Sequence, residues 1–301
     1  MKLLPHCRGV LFGLLCLAGG RADGREPMRY VYHSPESAMD QRYLYHWKIL
    51  ETALERTKAA YGPYVMEPAV VMTEKRQAFE LRHATGKLTV MYVDTRPEFE
   101  RDLIAVHLPV DKGLVGYRVC LIRQEDRPLF AAIKGLDDLR KLKFGLGADW
   151  IDVDILKANR FAVVTGSSYD GLFEMLQHKR FDAFSRGANE VLGEYAQRRA
   201  AMPDLGIEET LCLYYPTVMY FWFSKTTEGE RLAGRAEAGM RLMIGDGTYD
   251  RIFTEFFGAT IEQLQLKGRT LFRISNPFLG PETPLQDPRL WFDPQTYRPA
   301  D

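Results

Sequence analysis

Two hydrophobic periods alternate along this chain, and residues 166–184 show both. After Gly166, Ser167 with Asp170 three positions later forms an N-cap pair, and Leu172, Phe173 and Leu176 recur at helical spacing, so one helix face must pack inward. Lys179 and Arg180 close that helix with the charge its C-terminus favours. Phe181, Asp182, Ala183 and Phe184 then read as a short strand covered on both faces, which makes a βαβ crossover the natural frame.

The same reading extends in both directions. Residues 28–33 alternate as a first strand that Ser34, Pro35 and Glu36 stop, and residues 41–61 carry Tyr43, Trp47, Leu50 and Leu54 along one helical stripe ended by Gly62 and Pro63. A second strand at 64–72, a helix capped by Thr73, and a third strand at 88–93 complete a β-α-β-α-β series by residue 95, which predicts an α/β fold with a parallel sheet. Two apolar runs, 119–122 and 212–223, are expected to cross between lobes, with a self-contained α/β unit between them. Helices follow at 230–243 and 249–257. The last segment, 276–301, holds six prolines and no period; it predicts a draped tail anchored by Leu290, Trp291 and Phe292. The expected organisation is lobe I from 23–117 with 221–275, lobe II from 118–220, and the tail.

Composition narrows the function classes. With 301 residues and 46% hydrophobic content the chain can bury one large or two medium cores. Lysine plus arginine and aspartate plus glutamate stand at 40 each, so no global field favours nucleic acid or an anionic membrane, and charge selectivity must be local. The N-terminus has a basic start at Lys2 and Arg8, an apolar core over 10–17, and small residues at Ala18, Gly19, Gly20 and Ala22, as in a cleaved secretory signal peptide over 1–22. A short membrane anchor is the alternative, but roughly ten apolar residues fall short of the twenty or so a bilayer requires. Removing that segment leaves Cys120 and Cys212, either bridged or two buried thiols, and in neither case a disulfide framework.

Catalytic signatures are thin. Around Ser168 the second glycine lies one place too far for a nucleophile elbow, Gly145-Leu146-Gly147 lacks the third glycine of a dinucleotide loop, and the six histidines show no metal-ligand spacing. No cofactor and no metal are therefore expected.

Several passages, in order, resemble the type II periplasmic solute-binding proteins, specifically the amino-acid-binding branch (family 3). Residues 135–147 (GLDDLRKLKFGLG) resemble the start of that family's second lobe, residues 168–183 (SYDGLFEMLQHKRFDA) its helix followed by a G-K/R-x-D-A phrase, and Gly245-Asp-Gly-Thr-Tyr with Phe256-Phe257-Gly258 its C-terminal helix. The match runs from about Met28 to Gly258. It implies a two-lobe fold with two hinge crossings, and capture of a small molecule between the lobes for a membrane permease or sensor.

Site residues follow from the resemblance and from the cleft it implies. The family's arginine, which grips a substrate carboxylate about six residues before a Phe-Ser pair, has Arg101 as its counterpart, five residues before Val106-His107; solvated charge is the other reading of Arg101. The family's ammonium-binding aspartate falls at Gly187, next to Arg186, and Asp149-Trp150 replaces the hydroxyl-bearing pair after the first strand of lobe II. Both departures point away from a zwitterionic α-amino acid and towards an anionic or aromatic small molecule, or no transport ligand at all; overall a small polar or anionic ligand is expected. The candidate ligand-binding set is thus Tyr32, Ser34, Glu36, Arg101, His107, Asp149, Trp150, Ser167, Ser168 and Arg186. Two alternatives stay open: an interaction or sensory module without a transport role, and a periplasmic enzyme such as a dehydratase using Glu36 or Asp149.

Overall fold

The computed structural model describes residues 25–35 and 42–298; the expected signal peptide and Glu36 lie outside the described residues. Among the described residues the strands are β1 (Met28–Tyr32), β2 (Tyr64–Pro68), β3 (Met91–Asp94), β4 (Leu103–Val106), β5 (Tyr117–Arg123), β6 (Lys143–Gly147), β7 (Ala162–Gly166), β8 (Ala183–Gly187), β9 (Leu205–Ile207), β10 (Leu211–Tyr214), β11 (Met219–Ser224) and β12 (Thr270–Arg273).

They form an α/β structure in two lobes. In the first, β1 runs parallel to β2, a parallel bridge joins Tyr32 to Val90, and β11 lies antiparallel between β3 and β4. The second is built on a seven-stranded sheet of order β12-β10-β5-β8-β6-β7, with β9 also on β5. β12 falls in the range 221–275 expected in lobe I, and it pairs with β10 in this larger sheet.

Local sequence explains most elements. The helix Leu44–Arg56 buries Ile49, Leu50, Ala53 and Leu54 against the helix Thr227–Gly245, whose N-cap Thr226 accepts from Gly229 N at 3.1 Å. The two helices approach so closely that a Cβ on Gly239 would stand 2.1 Å from the Ala53 carbonyl oxygen, which excludes any side chain there. In residues 166–184 the helix is Tyr169–Gln177, and Ser168 rather than Ser167 caps it, accepting from Gly171 N at 3.1 Å. β7 and β8 both run parallel to β6, so the crossover lands two strands away, and all five positions of β8 are buried.

Of the two apolar runs expected as crossings, the first is wholly strand and the second partly so. Residues 119–122 belong to β5, whose seven positions are all buried in the large sheet. Residues 212–223 divide between β10 in the large sheet and β11 in the small one, leaving 215–218 as the return crossing. A strand covered on both faces reads as a continuous apolar run, and a buried crossing reads the same way.

The two cysteines are free. Leu213 faces Arg118 across the antiparallel β5–β10 pair, so Cys212 continues opposite Val119 while Cys120 points to the other face. They accordingly join different cores, Cys212 with Val119 and Leu121, Cys120 with Ile122 and Phe144. Burial pushes the Cys212 thiol up to about 12, which keeps it protonated and inert.

At the first crossing, Lys112 and Gly113 adopt left-handed backbone, and the tail lies over them. Phe292 N donates to the Lys112 carbonyl at 2.7 Å, Tyr117 Oη to the Phe292 carbonyl at 3.3 Å, and a Cβ on Gly113 would meet the Trp291 ring at 2.5 Å. Leu290 and Phe292 are buried, Trp291 half-buried. Beneath this strap Asp111, fully buried, accepts from Gly113 N at 3.1 Å and Val115 N at 3.3 Å. Burial outweighs those bonds and raises its carboxyl to about 7. Because the folded pKa lies above the unfolded one, the stabilisation is full below about pH 4 and is lost as pH rises through 7. Urea unfolding between pH 4 and 7 should therefore show a falling component of up to about 1.4 kcal/mol per unit, and Asp111→Asn should remove it. An unchanged slope in the variant would show that another group carries the dependence.

Candidate functional site

In open α/β sheets ligands bind beyond the carboxyl ends of the strands. Here the ends of β1, β3, β6 and β8 converge, with the start of antiparallel β5, on one cleft between the lobes whose cavity volume is about 70 Å³. His33, just past β1, and Asp94, the last residue of β3, line it from the first lobe, together with Tyr43, His46, Glu74 and Tyr92. From the second lobe come Arg118 at the start of β5, Trp150 and Asp152 after β6, and Arg186 and Glu190 at and beyond the end of β8. Val115, Thr217 and Met219, beside the two crossings, form the hinge side.

The first-lobe wall is aromatic. His46 stacks on Tyr92 with ring centroids 3.7 Å apart, His33 meets Tyr43 edge-on at 4.4 Å, and Tyr92 Oη donates to Met219 Sδ at 3.1 Å. Burial holds the Tyr92 phenol well above its usual pKa, so it stays neutral. On the opposite wall Trp150 folds over Gly147, where a Cβ would stand 2.5 Å from its ring. The Arg186 guanidinium lies 4.6 Å above the Trp150 ring.

Charges around the cleft are paired from behind. Arg186 donates Nε and Nη2 to the two oxygens of Glu194, each at 2.7 Å, and Nη2 also pairs with Glu190 at 3.1 Å. Burial opposes both charges, yet the pairing holds Glu194 below the usual carboxylate range and Arg186 above the usual guanidinium range. Arg118 pairs with Asp152, which also accepts from Tyr215 Oη. In the first lobe Arg96 Nε donates to Asp94 at 3.1 Å and Nη2 to Glu74 at 2.6 Å. Burial nevertheless keeps the Asp94 carboxyl above its usual pKa; Arg96 opposes this and the charge of Asp152 adds to it.

Contacts also span the cleft. Arg96 Nη2 reaches the Asp149 carbonyl at 2.6 Å, Lys75 pairs with the Asp149 carboxylate at 2.5 Å, and Arg42 from the first lobe lies 4.2 Å over the Tyr169 ring of the second. The lobes are therefore closed upon one another.

Of the residues singled out from sequence, the structure brings Trp150 and Arg186 into the cleft, and Asp149 into the groove adjoining it. Tyr32 packs its ring on Trp47 at 4.8 Å, and Ser34 Oγ donates to the Ala69 carbonyl at 2.5 Å. Arg101 lies away from the cleft, with 72% of its side chain exposed and Nε bonded to Asp102 at 2.6 Å. His107 pairs with Glu100 at 2.9 Å against the Tyr220 ring, and Ser167 and Ser168 are exposed at the helix cap. His46, Tyr92, Asp94, Arg96, Arg118, Asp152 and Glu190 also belong to the cleft or its wall, outside the set expected from sequence. A usable signal existed for Asp94, which directly follows the strand predicted over 88–93, and for Arg96, which precedes the helix-starting Pro97.

Comparison with solved structures identifies the fold as that of the type II periplasmic binding proteins. An ancestral arginine-binding protein bound to arginine superposes with a TM-score of 0.55 at 18% identity, covering 78% of this chain and 99% of that one. An arginine-specific periplasmic binding protein from Salmonella typhimurium gives 0.56 at 15% identity, covering 77% and 100%. A histidine kinase sensor domain with similarity to periplasmic binding proteins gives 0.54 at 17%, covering 77% and 97%. No family model and no curated protein sequence matches the chain.

Proposed function

We propose that this protein captures a small polar solute in the cleft between its lobes, and that closure of the lobes on the solute is read by a membrane partner, the permease of a transporter or a sensor. The observation that carries this reading is the convergence of aromatic and charged side chains from both lobes beside the two hinge crossings. A ligand that touches both walls favours the closed state by its differential affinity, which is what a downstream partner can detect. The arginine-binding structures support capture of a small solute, a further neighbour described as an amino acid ABC transporter substrate-binding protein supports delivery to a transporter, and the sensor-domain structure supports signalling with equal force. Export through a cleaved signal peptide over 1–22, and residence in the periplasm, complete the proposal; none of the described helices is long and apolar enough to cross a membrane. Binding without turnover is the matching expectation.

The test is calorimetry and thermal unfolding of the full chain against a panel of amino acids, amines, carboxylates and sugars. A binder present at a hundred times its Kd should stabilise the chain by about 2.7 kcal/mol. No shift and no binding heat across the whole panel would overturn the solute-binding reading.

A further inference from the structure

Two lobes joined by two crossings part by changing a few backbone angles at those crossings. In this chain a third segment also passes between the lobes. It leaves the second lobe at the end of β12, where Ile274 N donates to the Tyr214 carbonyl at 2.9 Å and Asn159 Nδ2 to the Ser275 carbonyl at 2.8 Å. Asn276 Nδ2 then donates to the Pro216 carbonyl at 2.9 Å, within the return crossing itself. Two residues later the chain changes lobe. Phe278 packs against the second-lobe core that holds Ile122, Phe144 and Leu156, whereas Leu279 packs against the first-lobe core of Phe99, Tyr220 and Trp222. Consecutive Cα atoms stand about 3.8 Å apart, so the lobes cannot separate at this point unless one of the two side chains leaves its seat. Gly280 continues along the first lobe, where a Cβ would stand 3.1 Å from Glu100 Oε1.

The segment then returns to the first crossing. Trp291 packs against the same first-lobe core as Leu279, and its Nε1 donates to the Pro284 carbonyl at 2.8 Å, closing the segment on itself. Its ring covers Gly113 of the first crossing, which lies beside Thr217 of the return crossing: a Cβ on Gly113 would stand 3.4 Å from the Thr217 carbonyl oxygen. Lys112 Nζ donates to the Arg289 carbonyl at 2.9 Å, so Lys112 is held by side chain and backbone alike. The residues whose angles must change when the lobes part are thus bonded to, or covered by, this segment.

We infer that residues 276–292 form a strap that limits how far the lobes can part. It is fastened to the second lobe by Asn276 and Phe278, to the first by Leu279 and Trp291, and to both crossings. This goes beyond the solute-binding reading, because the strap sets the amplitude of opening whatever enters the cleft. Wider opening requires Leu279 and Trp291 to leave the first lobe. Both are half-buried, which makes their release less costly than emptying a core position.

Pulsed electron spin resonance on the ligand-free full chain tests this, with spin labels on Lys87→Cys in the first lobe and Lys157→Cys in the second, both exposed positions. Cys7 and Cys16 are replaced by serine, and Cys120 and Cys212 are buried from the label. With the strap intact the label distances should form one narrow distribution. Leu279→Ser/Trp291→Ala should broaden it and add a component at longer distance, and a chain ending at Ser275 should do so further. Equal distributions in the parent and a double variant that circular dichroism shows to be folded would overturn the strap. Should neither variant fold, the parent decides: one narrow distribution upholds the strap, and a second component at longer distance overturns it. None of these outcomes depends on a solute, so the strap and the solute-binding reading fail separately.

Discussion

Arg235→Met is expected to lower the stability of the chain by about 3–5 kcal/mol, read as a reduced midpoint in urea unfolding followed by circular dichroism. Arg235 has no exposed surface, and no carboxylate pairs with it among the described residues. Instead its guanidinium serves the chain where the first-lobe helix ends: Nη2 donates to the Leu54 carbonyl at 3.0 Å and the Gly62 carbonyl at 2.9 Å, Nη1 to the Pro63 carbonyl at 3.3 Å, and Nε to Thr57 Oγ1 at 3.2 Å. A helix C-terminus leaves carbonyls without partners and carries partial negative charge, so a cation placed there both satisfies and neutralises it. Methionine matches the length but gives up all four charge-assisted bonds and strips the Gly62 carbonyl of its donor, while the Leu54 and Pro63 carbonyls keep the N–H groups of Thr57 and Met28. Arg235→Lys, with one charged nitrogen in place of a planar fork, should recover only part of the loss. A methionine variant as stable as the parent would show that the helix end is satisfied by other means.

Glu194→Leu is the second large effect. It strands the buried Arg186 guanidinium, which then keeps only Glu190, and it removes the acceptor of Tyr169 Oη at 2.8 Å. An uncompensated buried charge costs about 3–5 kcal/mol, whereas exchanging a whole buried pair for apolar residues is often neutral. The double variant Arg186→Met/Glu194→Leu should accordingly be more stable than Glu194→Leu alone, and the double-mutant cycle should return a coupling of about 1 kcal/mol or more. Additive losses would mean that the pair does not act as a unit.

That pair also explains why counting along the sequence misreads the cleft. Placing Arg186 beside Gly187 at the end of β8 suggests a cation awaiting an anion. In three dimensions Glu194, one helix turn into Val191–Arg198, returns beneath it and takes its fork. Trp150 and Arg186 were legible as cleft residues because strand ends and the loops that follow them are where α/β folds hold ligands. The spacing to Val106-His107 points to Arg101, yet the short helix Pro97–Asp102 turns it to solvent while Arg96, before the helix, turns in. Arg118 and Asp152 carried no local signal. One opens an apolar strand and the other a helix, positions where charge is commonplace, and only sheet order brings them together.

By itself the sequence determined what depends on near neighbours: the α/β class from alternating periods, the helix over residues 169–177, the buried strand after it, and the order of elements that marks a two-lobe fold. These follow because hydrophobic periodicity and capping act over a few residues. The tertiary structure alone decided which apolar run is a strand and which a crossing, that Cys120 and Cys212 face opposite sides of one sheet, and how the charges of the cleft are shared. Those outcomes depend on strand register and on residues distant in sequence meeting at buried positions. There the cost of an unpaired charge selects the partner, and local pattern does not encode which partner that will be.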